Sequence, residues 1–172
     1  MAHVLVEQLR FTRRHWQRGL TDVTAAEALQ RHGRINPIGW MVGHLASHEQ
    51  YLWFMEGQQQ EGPAPQVYAC AYDQPASTPP LDEMWEAWQK ITTAADPWLD
   101  SLTSAQMEEY LPGDERQVEN TGSAILHVIY HYWYHLGEAM AARQLLAGDS
   151  QHPLPEFPGP LVGAFWRAPD PD

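Results

Sequence analysis

Five histidines of this chain fall at intervals of four within two segments that are predicted to be helical. His44 and His48 lie in one segment, and His127, His131 and His135 lie in the other, within the stretch HVIYHYWYH. Residues four apart lie on the same side of an α-helix, so two imidazoles can point at one ion. A third ligand must then come from a facing helix, as in the core of a helical bundle. The spacing therefore indicates a divalent metal site. The stretch lies well inside the chain, which excludes a cloned terminal tag.

The alternative interpretation is that these histidines are half-buried core residues, each hydrogen-bonded to a carbonyl group. Two histidine pairs on separate amphipathic helices favour the metal site over this interpretation. Glu49 and Glu138 are the only carboxylates that lie among the histidines, and either can serve as a general base or as a hydrogen-bond acceptor for a metal ligand. The single cysteine, Cys70, excludes an internal disulfide and a cysteine-rich zinc site. It is predicted to lie in a loop as a free, exposed thiol.

Four long amphipathic segments are expected to carry these residues, and they predict an all-α four-helix bundle. Between the second and third helices lies a long polar connection with Gly and Pro, which we expect to lie near the site. After the fourth helix, a tail rich in proline is expected to pack through Phe157, Phe165 and Trp166. The helices are predicted at about 2–20, 37–57, 81–102 and 121–146, and the long connection at 58–80.

Several residues predict where these helices begin, end or bend. Thr21 or Asp22 is expected to cap a short helical turn, and Asn36 is expected to cap the second helix with proline at its first position. Pro97 is expected to kink or interrupt the third helix. Gly148 is expected to end the fourth helix. The stretch LPGDERQVEN before the fourth helix is predicted to hold a turn or a short hairpin.

The helical geometry places the histidines differently in the two segments. At about 100° per residue, His48 lies nearer the centre of the apolar face of the second helix, and His44 lies towards its edge. The three histidines of the fourth helix run along the edge of its apolar face, within roughly 80° of each other. The face of the second helix is formed by Ile38, Met41, Leu45 and Leu52, and that of the fourth by Ile125, Val128, Ile129, Tyr132, Leu136, Ala139 and Met140.

Charge and hydropathy exclude several classes of protein. The net charge is −12 with only ten Lys and Arg residues, which disfavours binding to nucleic acid. The nearest approach to a basic cluster is predicted to be the solvated side of the first helix. It consists of Arg10, Arg13, Arg14 and Arg18. No segment is long and apolar enough to span a membrane, and no signal peptide is recognisable, so we expect a soluble cytoplasmic protein.

Two motifs in this order resemble those of the DinB superfamily, a group of four-helix-bundle proteins regarded as metal-dependent. The first is WMVGHLASHE, from Trp40 to Glu49, and the second is HYWYHLGE, from His131 to Glu138. The order of the helices and the long connection between the second and third also fit, so the resemblance covers about residues 1–147. It implies a DinB-type bundle over 1–148, followed by the proline-rich tail over 149–172, packed on the bundle or extending from it.

Carried over position by position, the resemblance implies His44, His131 and His135 as the metal ligands. His48 is then either a partner that orients a ligand or a satisfied core histidine, and His127 caps the site or packs beside it. The position after the last ligand is often Arg in similar proteins and is Leu136 here, which we expect to alter how an anionic substrate is held. The resemblance and the helical geometry differ over the second helix, and we follow the motif.

Two classes of function are compatible with such a site: an enzyme and a non-catalytic bundle. Three imidazoles leave positions free on the ion, which predicts an enzyme that activates water or a thiol on a small molecule, as a hydrolase or a thiol-dependent transferase. Zinc is the expected ion, with nickel, iron or manganese as alternatives. The second hypothesis is a non-catalytic, metal-binding or metal-free stress-response bundle that binds partners or forms a homodimer. The catalytic residues stay unassigned, and the cleft is expected to be lined by Trp40, Tyr51, Trp133 and Tyr134.

Overall fold

Helices make up most of the computed structural model, which describes residues 2–147, and no strand forms among these residues. The predicted all-α class is confirmed. The four long helices are the first, third, fourth and sixth along the chain. The elements are α1 (Val4–Gly19), α2 (Ala25–Ala28), α3 (Ile38–Gln50), α4 (Leu81–Ser101), α5 (Ser104–Met107) and α6 (Thr121–Ala147), with a π-helical segment (Tyr51–Glu56) and a 3-10 helix (Pro65–Cys70).

The four long helices pack through the apolar faces that their sequences predict. Helix α3 contacts both α4 and α6, and α1 packs along α6. The side chain of Leu136 on α6 packs directly against α1 at Gly19, where a Cβ atom would collide with it. The side chains of Trp16, Met41, Ile91 and Ile125, one from each long helix, are fully buried. Burying such faces is the main source of helical stability, because isolated helices of these lengths are marginal in water. Within residues 2–147, the helices all lack either the length or the apolar character needed to cross a bilayer.

The predicted helix starts are partly wrong. Thr24, and neither Thr21 nor Asp22, caps α2, and it forms a capping box with Glu27. Helix α3 begins at Ile38 with Pro37 as its N-cap residue and no side-chain cap. Asn36 does not cap this helix, because its backbone and side-chain N–H groups donate to a distant carboxylate on α6.

Later in the chain, the structure adds detail on α4, on an unpredicted short helix and on the stretch before α6. Pro97 lies inside α4 without interrupting it, since the helix continues to Ser101. The short helix α5 has no counterpart among the predicted helices. The stretch after it forms turns, which were one of the two predicted alternatives, and no hairpin beyond an isolated bridge between Tyr110 and Asn120. The side chain of Asn120 accepts a hydrogen bond from the first turn of α6. Gly148 and the tail, with the domain boundary predicted there, lie outside the described residues.

The predicted solvated side of α1 is wrong at Arg13, which is only 5% exposed. Its guanidinium forms a bidentate ion pair with Glu49, whose side chain is fully buried. Trp53 and Tyr132 donate to the same carboxylate at 2.7 and 2.5 Å. Four donated hydrogen bonds thus satisfy a buried charge that would otherwise be strongly unfavourable. Burial disfavours the charged guanidinium, yet the adjacent carboxylate raises the pKa of Arg13 above its usual value. This cluster ties α1, α3 and α6 together beside the histidines.

Candidate metal centre

Three histidine rings from two helices converge on one point between α3 and α6. His44 comes from α3, and His131 and His135 come from successive turns of α6. The Nε2 atom of His131 lies 3.2 Å from Nε2 of His44 and 3.0 Å from Nε2 of His135. Each residue offers a ligand atom within 4.8 Å of the other two. The structure therefore brings together the three residues that were predicted to be ligands, and metal binding by them stays a prediction.

The opposite nitrogen of each ring is held by a partner, which fixes the direction in which Nε2 points. His44 Nδ1 donates to the carbonyl oxygen of Cys70 at 2.8 Å, since a carbonyl can only accept. His135 Nδ1 lies 2.8 Å from a carboxylate oxygen of Glu138. His131 Nδ1 lies 2.8 Å from Nδ1 of His48. Ligand imidazoles in metal sites commonly have such a partner, which sets the tautomer and holds the ring in place.

Burial favours the neutral form of His44, His48 and His131. Burial and the neighbouring histidines lower the pKa of His131 to about 2 and that of His48 to about 3. Burial also lowers the pKa of His44, against the opposing effect of its hydrogen bond to the Cys70 carbonyl. A neutral imidazole offers a lone pair, and only that form can bind a metal ion. His44 and His131 are therefore in the protonation state that metal binding requires.

Glu138 lies at the edge of the cluster and is anchored on both sides. Besides its contact with His135, it accepts hydrogen bonds from the backbone and side-chain nitrogens of Asn36 at 3.0 and 3.3 Å. Burial disfavours its charged form, but these hydrogen bonds lower the pKa of the Glu138 carboxyl. Glu138 therefore acts on His135 as a hydrogen-bond acceptor, which is one of the two roles predicted for it.

Two hydrogen-bond partners in this arrangement are not predicted by the sequence. The first is the carbonyl oxygen of Cys70, which the 3-10 helix brings to His44. Cys70 itself is buried, with 1% exposure, so the predicted exposed thiol is wrong. Burial raises the pKa of this thiol. The second is Asn36, whose position before a proline suggests only a helix cap. Neither contact has a signal in the sequence, because each joins residues that lie far apart along the chain.

The remaining candidates lie around the cluster and not within it. The hydrogen bonds of Glu49 go to the buried cluster with Arg13, so its carboxylate is engaged in the core and unsuited to act as a base. The side chain of His127 is half exposed and pairs with Glu119 at 3.2 Å. Its ring centroid lies 5.0 Å from that of His48. Leu136 is buried against α1 with 2% exposure, so this departure from the family pattern does not face the site.

The aromatic residues predicted to line a cleft separate into two groups. Trp40 stacks on the ring of His44 with 4.4 Å between centroids and meets His135 edge-on. Tyr134 contacts the ring of His135 at 5.3 Å. Trp133 instead packs towards α1 against Phe11 and His15, and Tyr51 hydrogen-bonds to Glu56 beyond His48. Trp40 therefore shields one side of the histidine cluster, and Tyr134 lies at its exposed side.

The donor set fits a divalent transition metal. Three neutral imidazole nitrogens suit zinc, nickel, iron or manganese, and three protein ligands leave coordination positions free. The convergence of three Nε2 atoms, with all three Nδ1 atoms already engaged, is the observation that supports this fit.

Comparison with known proteins agrees with this arrangement. The family model of the DinB superfamily matches residues 4–139, a span that covers all four long helices up to the turn after the last predicted ligand. A search of curated proteins found no match. Because the match extends over well more than half of the chain, this protein belongs to the DinB superfamily.

Proposed function

We propose that this protein is a metal-dependent enzyme in which His44, His131 and His135 hold a divalent ion that acts on a small molecule. An ion with three imidazole ligands keeps open positions and makes bound water or a bound thiol more acidic. The reaction is accordingly a hydrolysis or a transfer that uses a low-molecular-weight thiol. The observation that supports the proposal best is the convergence of three Nε2 atoms on one point, with each ring held through its Nδ1 atom.

The surrounding residues support catalysis over a closed structural site. Glu138 and the Cys70 carbonyl hold two of the rings, which leaves the ligands little freedom to rotate. Trp40 excludes water from one side of His44. Tyr134 is 74% exposed beside His135, so the cluster can be approached from that side. A small substrate would enter there.

Metal analysis of protein purified without a histidine tag tests the proposal. We expect about one equivalent of zinc or nickel per chain, since one site has three ligands. His44→Ala should abolish binding, whereas His127→Ala, the matched control outside the cluster, should retain it. The loaded protein should then turn over activated esters or join a thiol to an electrophile, and the His44→Ala variant should do neither. Less than about a tenth of an equivalent, unchanged after zinc or nickel is added, would refute the metal centre.

A second function is favoured by a different observation. Tyr130 and Tyr134 are 65% and 74% exposed on the outer side of α6, and such aromatic residues are enriched in protein interfaces. A non-catalytic module that dimerises through α6 would use them. Loaded protein that turns over none of these substrates and is a dimer in light scattering, but a monomer after Tyr130→Ser, would favour this second function.

A further inference from the structure

A cavity of about 240 Å³ lies beside the histidine cluster, on the side of His48. It is bounded by the π-helical segment, by the connection before α6 and by the first half of α6. Leu52, Leu111 and Ala124 supply apolar wall, and the exposed Arg116 lies at its edge. None of the three predicted metal ligands lines this cavity. The cavity is therefore distinct from the candidate metal centre and touches it only through His48.

The carboxylates around this cavity have partners in the protein. Glu56 accepts a hydrogen bond from Tyr51 through Oε1, whereas its buried Oε2 has no hydrogen-bond partner among the described residues. Asp114 accepts hydrogen bonds from backbone N–H groups of its own connection. Glu119 pairs with His127. These groups make the wall negative on balance, which disfavours an anionic ligand. The apolar wall and the small volume suit a small uncharged molecule.

His48 is the polar group that joins the cavity to the cluster. Its Nδ1 lies 2.8 Å from Nδ1 of His131, and one of these two nitrogens must carry the proton that joins them. Within the described residues this is the only hydrogen bond of the His48 side chain, so Nε2 is the atom left to serve a molecule in the cavity. A neutral imidazole carries one proton, and therefore the choice made at Nδ1 decides whether Nε2 donates or accepts.

In protein stripped of metal, the hydrogen bonds of the cluster select one arrangement of protons. His44 and His135 carry their protons on Nδ1, facing the Cys70 carbonyl and the Glu138 carboxylate, so both Nε2 atoms are lone pairs. His131 Nε2 lies between these two lone pairs, at 3.2 and 3.0 Å, and must carry the proton. His131 Nδ1 is then a lone pair that accepts from His48, whose Nε2 is left as an acceptor.

Metal loading requires the opposite arrangement. The lone pair of His131 Nε2 is needed for the ion, so the proton of His131 moves to Nδ1. His131 then donates to His48 Nδ1, and His48 must carry its own proton on Nε2. His48 remains neutral in both arrangements, and only the position of its proton changes.

We propose that metal loading switches the tautomer of His48 and so prepares the cavity to bind a small uncharged molecule that presents a hydrogen-bond acceptor, such as a carbonyl oxygen. The inference rests on the proposed metal centre. His48 is a positioning residue for His131 and a binding residue for the cavity. In the loaded protein, His48 Nε2–H donates a hydrogen bond to the acceptor atom of the bound molecule. In stripped protein, His48 Nε2 carries a lone pair, which would face the lone pair of that acceptor and repel it.

Zinc titration of the full-length chain, labelled with ¹⁵N in its histidines, tests the tautomer directly by two-bond ¹⁵N–¹H correlation spectra. At a pH of about 8 the imidazoles are neutral. The spectrum of His48→Gln identifies the signals of His48. We expect its proton on Nδ1 before zinc is added and on Nε2 afterwards. If zinc binds and the proton of His48 stays on one nitrogen throughout, this inference is refuted while the metal centre stands. If zinc does not bind, the metal centre itself fails.

Zinc affinity in three variants tests the positioning role of His48. His48→Phe leaves the N–H of His131 without an acceptor and should weaken zinc binding by about 10- to 100-fold. His48→Gln supplies an accepting side-chain oxygen and should restore much of the affinity. His127→Gln, on the same cavity wall but without a hydrogen bond to His131, should leave it unchanged. If the wild type and His48→Phe bind zinc with equal affinity, His48 does not position His131. The same conclusion follows if His48→Gln binds zinc as weakly as His48→Phe.

Acetophenone, a small apolar molecule with a carbonyl acceptor, tests the class of ligand. Its binding is followed through the methyl signals of Leu52 and Leu111, with protonated benzylamine as the matched control. One added hydrogen bond should make acetophenone bind the zinc-loaded protein roughly fivefold more tightly than stripped protein. Benzylamine should show no such gain. Equal affinity of acetophenone for both forms, or no binding to either, would overturn the assignment.

Discussion

Replacing Arg13 by Met tests whether the buried ion pair is needed for the fold. Arg13 is 5% exposed and Glu49 is fully buried, so removal of the guanidinium leaves a carboxylate charge inside the core. Breaking one side of a buried pair typically costs about 3–5 kcal/mol. A domain of this kind has about 5–15 kcal/mol of total stability, so the variant should lose a third or more of it. Arg10 lies one turn earlier on α1 and is the matched control. It pairs with the exposed carboxylates of Asp96 and Asp100, and Arg10→Met should cost less than about 1 kcal/mol.

Urea unfolding followed by circular dichroism measures both free energies of unfolding under the same conditions. A second comparison separates the charge from the packing. Adding Glu49→Gln to Arg13→Met removes the stranded charge but keeps one oxygen, which can accept from either Trp53 or Tyr132, so the double variant should regain at least about 1 kcal/mol over Arg13→Met. The reasoning is refuted if Arg13→Met and Arg10→Met differ by less than about 1 kcal/mol, or if the double variant is less stable than Arg13→Met.

Three further predictions concern the cluster and the helices around it. Glu138→Gln should weaken zinc binding by about 10- to 100-fold in calorimetric titration, because the amide is a poorer acceptor for the ligand ring; an unchanged affinity would contradict this role. A Cβ atom at Gly39 would lie 2.6 Å from a backbone carbonyl of the connection before α4, so Gly39→Ala should lower the free energy of unfolding by about 1–3 kcal/mol. Gly137→Ala, in an open position on α6, should raise the free energy of unfolding by up to about 1 kcal/mol. If urea unfolding shows that Gly39→Ala stabilises the protein or that Gly137→Ala destabilises it, the prediction is refuted. Burial and the neighbouring histidines lower the pKa of His48 to about 3 and that of His131 to about 2, so below pH 6.5 the unfolded chain binds more protons than the folded one. Metal-free protein should therefore lose stability as the pH falls from 6.5 towards 3, by up to about 1.4 kcal/mol per pH unit for His48, and a flat profile of urea midpoints would contradict this.

The sequence by itself predicted the four long helices, and together with the family motifs it predicted the three histidines that the structure brings together. Helical periodicity is a local property, so apolar positions three and four apart predict both the helix and the face that it buries. For the same reason, histidines four apart on α6 are predicted to lie on the same side of the helix, independently of how the other helices pack. The pair of motifs around His44 and His131 added the family, which the family model confirms over residues 4–139.

Only the tertiary structure decided what each of these side chains meets. Arg13 and Arg10 look alike in the sequence, yet one is buried against a carboxylate from α3 and the other lies at the surface. The partners of His44 and Glu138 come from residues 26 and 102 positions away in the chain. The role of His48 likewise depends on the distance between its Nδ1 and that of His131, on another helix. Hydrogen bonds between distant residues depend on how the helices pack, and no local pattern of residue types specifies that packing.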